Sequence, residues 1–305
     1  MVDNIVAQSE NSSLRQRHGS TVSSANGSKP GSAEEIDFGL DSYVDDNSFL
    51  AIVIGVSKVV LCLLVLAINT SLWFVVLLLL LPWPNARLYQ GNLYGRVSGR
   101  MLMWICGNPL TIRGQEYAND KAIYIANHSS IMDVPLMLWL TPLRTVGIGK
   151  KEVIWFPFFG ILFMMAGHLR IDRSNRESSH ASMTEVAKEI VENDLSLGMF
   201  PEGTRSSDGR LLPFKKGFIH LALQTKRPIV PVVLTGTYLG WPKHSFHVRP
   251  APVSVTFLPP IKTDDWTIDK VNNYTEMIHD IYVKHLPERQ RPLEMSPTKE
   301  GLSIN

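Results

Sequence analysis

The run of apolar and polar positions divides the chain into distinct stretches. Residues 1 to 48 are rich in Ser, Asn and Gly and lack periodic apolar positions, which predicts a solvated polar tail. Phe49 to Leu81 is then almost continuously apolar, interrupted at Ser57, Lys58 and the cluster Asn69, Thr70, Ser71. A straight helix over that whole stretch would be roughly 50 Å long, against a hydrocarbon core of about 30 Å. Two arrangements fit. One is a single span, Val59 to Leu81, with Lys58 at its rim; the other is a re-entrant helical hairpin bent at Asn69 to Ser71. Pro82, Trp83 and Pro84 end the segment and place an aromatic residue at the interface.

From Lys121 onward the pattern changes to short β-type runs alternating with helical ones. Ala122 to Ala126, Thr145 to Ile148, Leu195 to Phe200, Ile229 to Leu234 and Val253 to Leu258 predict strands. Val134 to Leu140, His180 to Glu192, Phe218 to Thr225 and Asn272 to His285 predict helices. Such alternation implies an α/β fold, a mostly parallel sheet covered by helices, behind an N-terminal membrane anchor. A second apolar stretch, Val153 to Leu169, is broken by Pro157, Gly160 and Gly167; it reads as a wall of the domain that dips into the membrane face, with a second transmembrane helix as the alternative. The resulting organisation is a polar tail (1–48), an anchor (49–84), one folded domain (85–286) and a polar C-terminal tail (287–305).

Composition changes this picture in one respect. With 305 residues and 45% hydrophobic content the chain buries a sizeable core, and its two cysteines, Cys62 and Cys106, exclude a disulfide framework and a Cys-rich zinc site. The net charge of +2 conceals a split. Residues 1 to 48 hold three basic and eight acidic groups, so the tail stands near −5 and the body near +7. A basic body beside an apolar segment points to a membrane surface or an anionic substrate, with nucleic acid as the competing partner. Arg87, Arg96 and Arg100 follow the span while only Lys58 precedes it, which puts the body in the cytosol. A single span would then leave the tail in the lumen and a hairpin would leave it in the cytosol; glycosylation at Asn11 or Asn26, both in Asn-x-Ser/Thr sequons, would exclude the hairpin.

The chemistry-bearing residues gather just after predicted strands, where α/β proteins place their sites. Asn127, His128, Ser129, Ser130, Ile131, Met132, Asp133, Val134, Pro135 follow the first. On a straight helix His128 and Asp133 would lie about 140° apart and share no face. Pro135 is tolerated only in a helix's first turn, so the helix starts near Ser130 to Asp133 and the loop can fold His128 back towards Asp133. That spacing fits a Ser130–Asp133 capping pair and also a histidine general base oriented by a carboxylate, and the two are compatible. Phe200, Pro201, Glu202, Gly203, Thr204, Arg205, Ser206 follow another strand. Gly203 permits a tight turn, Thr204 and Ser206 offer hydroxyls, and Arg205 offers a planar fork for phosphate; a plain surface turn with Glu202 paired to Arg205 is the alternative. A turn at Asp208 and Gly209 could return Lys215 and Lys216 to the same place. Lys150 and Lys151, and Arg170, Asp172 and Arg173, supply further basic groups. There is no Gly-x-Ser-x-Gly elbow, no complete Gly-x-Gly-x-x-Gly, no phosphate-loop Gly-Lys-Ser/Thr and no His-Glu-x-x-His, so serine hydrolases, dinucleotide oxidoreductases, P-loop enzymes and zincins lose support.

Four blocks together resemble one known family. Asn127 to Asp133 as Asn-His-x-Ser-x-x-Asp, Gly167 through Ile171-Asp172-Arg173, Phe200 to Ser206 as Phe-Pro-Glu-Gly-Thr-Arg-Ser, and Val230 to Gly236 as Val-Pro-Val-Val-Leu-Thr-Gly match the glycerolipid acyltransferases in order and spacing. The resemblance is greatest to the plant microsomal lysophosphatidate acyltransferases, over roughly Phe49 to Pro287; Arg170 departs from the aromatic residue common in the second block. The resemblance implies transfer of a fatty acyl group from acyl-CoA to the sn-2 hydroxyl of lysophosphatidic acid (1-acyl-glycerol-3-phosphate), giving phosphatidic acid. His128 would be the base and Asp133 its orienting partner. Glu202, Gly203, Thr204 and Arg205 would form the phosphate cradle, with Arg173 and one of Lys150 or Lys151 adding to it or stabilising the oxyanion. The Val153 to Leu169 stretch would border an acyl-chain channel. The resemblance also implies no metal or prosthetic group, no nucleic-acid partner, and residence in the endoplasmic reticulum membrane with the catalytic domain facing the cytosol.

Overall fold

The computed structural model describes residues 43–150, 159–171 and 176–293. Its strands are Leu110–Arg113 (β1), Ile123–Ala126 (β2), Thr145–Lys150 (β3), Leu169–Ile171 (β4), Ser196–Met199 (β5), Ile229–Thr235 (β6) and Val253–Phe257 (β7). Its α-helices are Phe49–Leu79 (α1), Pro84–Cys106 (α2), Asp133–Leu140 (α3), Phe159–Met165 (α4), Arg176–Glu192 (α5), Gly217–Thr225 (α6), Thr237–Gly240 (α7) and Val271–His285 (α8). Every strand and helix expected from Lys121 onward is present. The strands form one sheet in the order β1-β7-β6-β2-β5-β3-β4, parallel at each pairing except β6 with β7.

The central strand β2 shows why the sheet is buried on both faces, since all four of its residues are apolar and inaccessible. Ile123 and Ile125 meet α5, α6 and α8 through Val186, Ile190, Phe218, Ile219 and Ile278. Ala122, Tyr124 and Ala126 point the other way, into a cluster with Met103 and Cys106 of α2 and Leu136, Met137 and Leu140 of α3. At Gly99 the α2 backbone approaches the carbonyl of Pro135 so closely that any Cβ would overlap it, which seats α2 directly on the start of α3.

Helix α1 runs unbroken through the cluster that was expected to allow a bend. Ser57 and Ser71 donate to carbonyls of their own helix, Val53 and Ala67 (2.8 and 2.9 Å). The other polar groups bind α2. Lys58 Nζ reaches the Cys106 carbonyl (2.6 Å), Asn69 Nδ2 the Ser98 hydroxyl (2.5 Å), and Trp73 Nε1–H the Gln90 carbonyl (3.0 Å), while the Thr70 and Tyr94 hydroxyls share a bond (2.8 Å). The re-entrant hairpin bent at Asn69 to Ser71 is therefore not formed, because those polar groups are satisfied without opening the helix. The hairpin that does exist joins α1 to α2 through the turn at Leu80 to Trp83, with Pro84 as the first residue of α2. The face of α1 turned away from α2 exposes Leu61, Leu64, Ile68, Leu72, Val75 and Leu79 at helical spacing. Among the described residues α1 is the one helix long and apolar enough to cross a membrane.

The second apolar stretch is no span where it is described. Phe159–Met165 is a two-turn helix packed against α1 and α2, and Gly167, at φ +78°, turns the chain into β4. Residues 153–158 lie outside the described residues.

Candidate active site

Construction of the site begins at the end of β2. Asn127 replaces a strand residue with its side chain: its Nδ2 donates to the Leu234 carbonyl and its Oδ1 accepts the Leu234 N–H, both at 2.8 Å. The buried Tyr282 hydroxyl of α8 donates to the Ile125 carbonyl (2.6 Å) and accepts the Val232 N–H (3.1 Å). The chain thus leaves the sheet at a fixed point, one residue before His128.

Pro135 places the helix start where the sequence requires it, with Asp133 as the first residue of α3. The Asp133 carboxylate is inaccessible, and one of its oxygens, Oδ2, accepts three bonds: Ser129 N–H and Ser130 N–H at 2.7 Å each, and His128 Nδ1–H at 2.9 Å. Capping and histidine orientation are both real, carried by the same oxygen. Ser130 does not complete a reciprocal cap; its hydroxyl accepts the Met132 N–H (3.0 Å) and donates to the Trp241 carbonyl (2.7 Å). A carboxylate only accepts, so the His128 proton sits on Nδ1 and the lone pair on Nε2 is left for a substrate. The ring stacks on Phe200, centroids 3.9 Å apart and 16° between planes, and is 13% exposed.

The loop after β5 is bound to the loop after β2 by its backbone. Glu202 is buried; its Oε1 accepts the His128 N–H (2.6 Å) and its Oε2 the Leu212 N–H (3.0 Å). The His128 carbonyl in turn accepts the Ser206 N–H (2.8 Å). The alternative in which Glu202 pairs with Arg205 is not what forms: two backbone donors hold the carboxyl on the inner side of the turn. Burial raises the Glu202 pKa to about 8, against the two N–H bonds that lower it, and the neighbouring Asp133 charge pushes the same way as burial. Gly203, at φ +71°, makes the turn, and the Lys215 side chain lies across it. Lys216 is exposed to solvent.

A cavity of about 590 Å³ opens beside these loops. It is lined by His128, Gly203, Thr204, Arg205 and Lys243, by the apolar Met137, Val146, Ile148 and Phe163, and by His168. No side-chain bond engages the Arg205 guanidinium among the described residues, so its fork is available to a ligand. Lys150 is the last residue of β3, at the same carboxyl edge of the sheet. Lys151 and Arg173 lie outside the described residues. Sequence reasoning passed over Lys243, although it follows β6 at that edge and the rule that found His128 and Arg205 applies to it equally. It also missed the fastening roles of Asn127 and Tyr282, which no local pattern signals.

Known proteins similar to this chain identify its family. A family model described as Acyltransferase matches residues 109–235, which include both loops. The chain is 57% identical over 253 residues to a 1-acyl-sn-glycerol-3-phosphate acyltransferase of Cocos nucifera, covering 83% of this chain and 82% of that one. It is 51% identical over 249 residues to the enzyme of that name from Limnanthes alba, covering 82% and 89%. In fold it is similar to the crystal structure of the 1-acyl-sn-glycerophosphate (LPA) acyltransferase PlsC from Thermotoga maritima, with a TM-score of 0.53, 23% identity, and coverage of 70% of this chain and 92% of that one. With the His128–Asp133 pair and the Glu202–Arg205 turn at the heart of the matched region, the chain belongs to the acyltransferase family of the 1-acyl-sn-glycerol-3-phosphate acyltransferases.

Proposed function

We propose that the protein transfers a fatty acyl group from acyl-CoA to the sn-2 hydroxyl of 1-acyl-glycerol-3-phosphate and so forms phosphatidic acid. The observation that carries the reading is the 2.9 Å bond from His128 Nδ1–H to Asp133, which leaves Nε2 as a base at the mouth of a cavity shared with Arg205. Nε2 takes the proton of the sn-2 hydroxyl as that oxygen attacks the thioester carbonyl carbon. Asp133 steadies the imidazolium that results. The tetrahedral oxyanion then collapses, the carbon–sulfur bond breaks, and the CoA thiolate leaves and recovers the proton from Nε2. Because a thiolate leaves readily, the sequence of steps needs neither an acyl-enzyme nor a metal.

Arg205 holds the acceptor phosphate as a charge-assisted pair, with Gly203 and Thr204 shaping the turn around it and Lys243 as a second cation. Arg173 and one of Lys150 or Lys151 keep the role the resemblance gives them, phosphate or oxyanion contacts. The apolar part of the cavity takes an acyl chain. The exposed stripe of α1 lies in the bilayer: α1 is bonded to α2 from Lys58 to Trp73, so it delivers the catalytic edge to the lipid surface rather than carrying it on a stalk. We place the enzyme on the cytosolic face of the endoplasmic reticulum, with no nucleic-acid partner.

The test is acceptor choice. Membranes carrying the protein should release CoA with lysophosphatidate far faster than with glycerol-3-phosphate or with a lysophospholipid bearing a head group on its phosphate. Arg205→Ala should raise the apparent KM for lysophosphatidate by about 10–100-fold, the value of a charged hydrogen-bond pair. An effect on acyl-CoA alone would contradict the assignment of Arg205.

A further inference from the structure

We propose that Gln290 is a positioning residue of the acyl-transfer site: seated on the end of β6, it holds the segment after α8 against the loop that carries Arg205, and so fixes where the acceptor phosphate binds. That role rests on the acyl-transfer reading of the site and deepens it, through a residue outside the cavity lining.

Beyond α8 the chain turns at Pro287 into a single 3-10 turn, Glu288–Gln290. Glu288 and Arg289 are exposed, whereas Gln290 is only 6% exposed. Its Nε2–H donates to the Leu234 carbonyl (3.3 Å) and its Oε1 accepts the Gly236 N–H (3.2 Å). The same Leu234 carbonyl accepts the Nδ2–H of Asn127, the residue before His128. On its other side the segment binds the returning limb of the Arg205 loop. The Gln290 carbonyl accepts the Leu211 N–H (2.8 Å), and the Arg291 carbonyl accepts Arg210 Nη1–H (2.9 Å). The next N–H along that limb, from Leu212, is one of the two that hold Glu202.

A buried primary amide is costly unless its donor and its acceptor are both met. Both are met here by backbone groups where β6 leaves its pairing with β7 at Thr235 and Ser254. Gln290 thus supplies at the end of β6 what Asn127 supplies at the end of β2, hydrogen bonds that continue the sheet past the strand. The two loops of the site depend on it unequally. His128 keeps Asn127 and Asp133 without it. The limb at Arg210 and Leu211 is held by the carbonyls of Gln290 and Arg291, so unseating Gln290 frees Arg205 more than it disturbs His128.

Steady-state CoA release by the full-length protein in membranes, with lysophosphatidate and acyl-CoA varied in turn, tests this role. Gln290→Met keeps the length and loses both side-chain bonds. It should raise the apparent KM for lysophosphatidate about tenfold, the worth of one or two neutral hydrogen bonds, and leave kcat and the KM for acyl-CoA within about twofold. Arg210→Met loses the bond to the Arg291 carbonyl from a half-exposed side chain; it should raise the same KM by about threefold or more, and it decides the matter if Gln290→Met does not fold. The double variant should be little worse than Gln290→Met alone, because both act through one clasp; additive losses would overturn that coupling. As a control for stability, Thr263→Val removes a buried bond at the opposite end of β6, from Oγ1 to the Arg227 carbonyl (3.0 Å), and should lower the thermal midpoint without moving either KM. A KM for lysophosphatidate that is unchanged in Gln290→Met, or raised equally by Thr263→Val, overturns the positioning role and leaves acyl transfer standing. A wild-type protein that releases no CoA with lysophosphatidate overturns both.

Discussion

At the scale of single residues, the site depends on one carboxylate oxygen with three donors. Because Ser129 N–H and Ser130 N–H both point at Asp133 Oδ2, an amide placed there would turn its oxygen, not its nitrogen, to them and to the His128 Nδ1–H. Asp133→Asn should therefore keep the loop and the tautomer and lose only the charge that steadies the imidazolium. Turnover should fall by about a hundredfold or more while the thermal midpoint barely moves. A variant that unfolds earlier but turns over normally would reduce Asp133 to a cap. Glu202 makes a different prediction. Its folded pKa of about 8 stands above the ordinary 4.5, so its contribution to stability is complete below about pH 4.5 and is lost as pH rises through 8. Relative to Glu202→Gln, the wild-type protein should lose at most about 5 kcal/mol over that window, read from denaturant unfolding at a series of pH values. A gap that stays constant between pH 4.5 and 8 would show that Glu202 is ionised in the fold.

At the scale of elements, the sequence was most legible where one residue forbids the alternatives. Pro135 placed the start of α3, and with it the return of His128 to Asp133. Strands β2 and β6 were legible because both faces of the sheet are covered there and nearly all of their residues are apolar and buried. Helix α2 carried no such signal. Its packing face is built on small residues that let α3 and α4 approach, so the feature that seats it looks like missing side chains in a hydrophobic pattern. Edge strand β4, of three residues, was too short to read, and edge strand β1 alternates half-buried with exposed residues and so lacks a continuous apolar run. The polar cluster in α1 left a bend open beside the single span because its partners on α2 lie about 20–30 positions away in sequence. The contact of α2 with α3 can be tested at Gly99. Gly99→Ala drives a Cβ into the Pro135 carbonyl and should cost about 1–3 kcal/mol, together with activity, because Pro135 is two residues from Asp133. Gly95→Ala, which meets only the flexible Leu138 side chain, should be tolerated. Equal unfolding midpoints for the two variants would contradict the packing account.

At the scale of the whole molecule, the charge split has a structural counterpart. The acidic lead-in to α1 touches the basic body through Asp45 and Arg249 (2.9 Å). The apolar stripe of α1, the cavity and the cationic loops are held in one unit by the α1–α2 hairpin and the α2–α3 contact. The exposed apolar stripe of α1, the cavity and the Arg205 fork therefore have a fixed relation to His128, as the proposed transfer at a membrane surface requires. The central claim is that His128 Nε2 removes the acceptor's proton. It is tested most directly by measuring CoA release and phosphatidic acid together, from acyl-CoA and lysophosphatidate, on membranes holding equal amounts of wild-type and His128→Ala protein. The account predicts equimolar products from the wild-type enzyme and a loss of at least about a hundredfold in the variant, with insertion and thermal midpoint unchanged. Turnover by a folded, inserted His128→Ala protein within a few fold of wild type would contradict it.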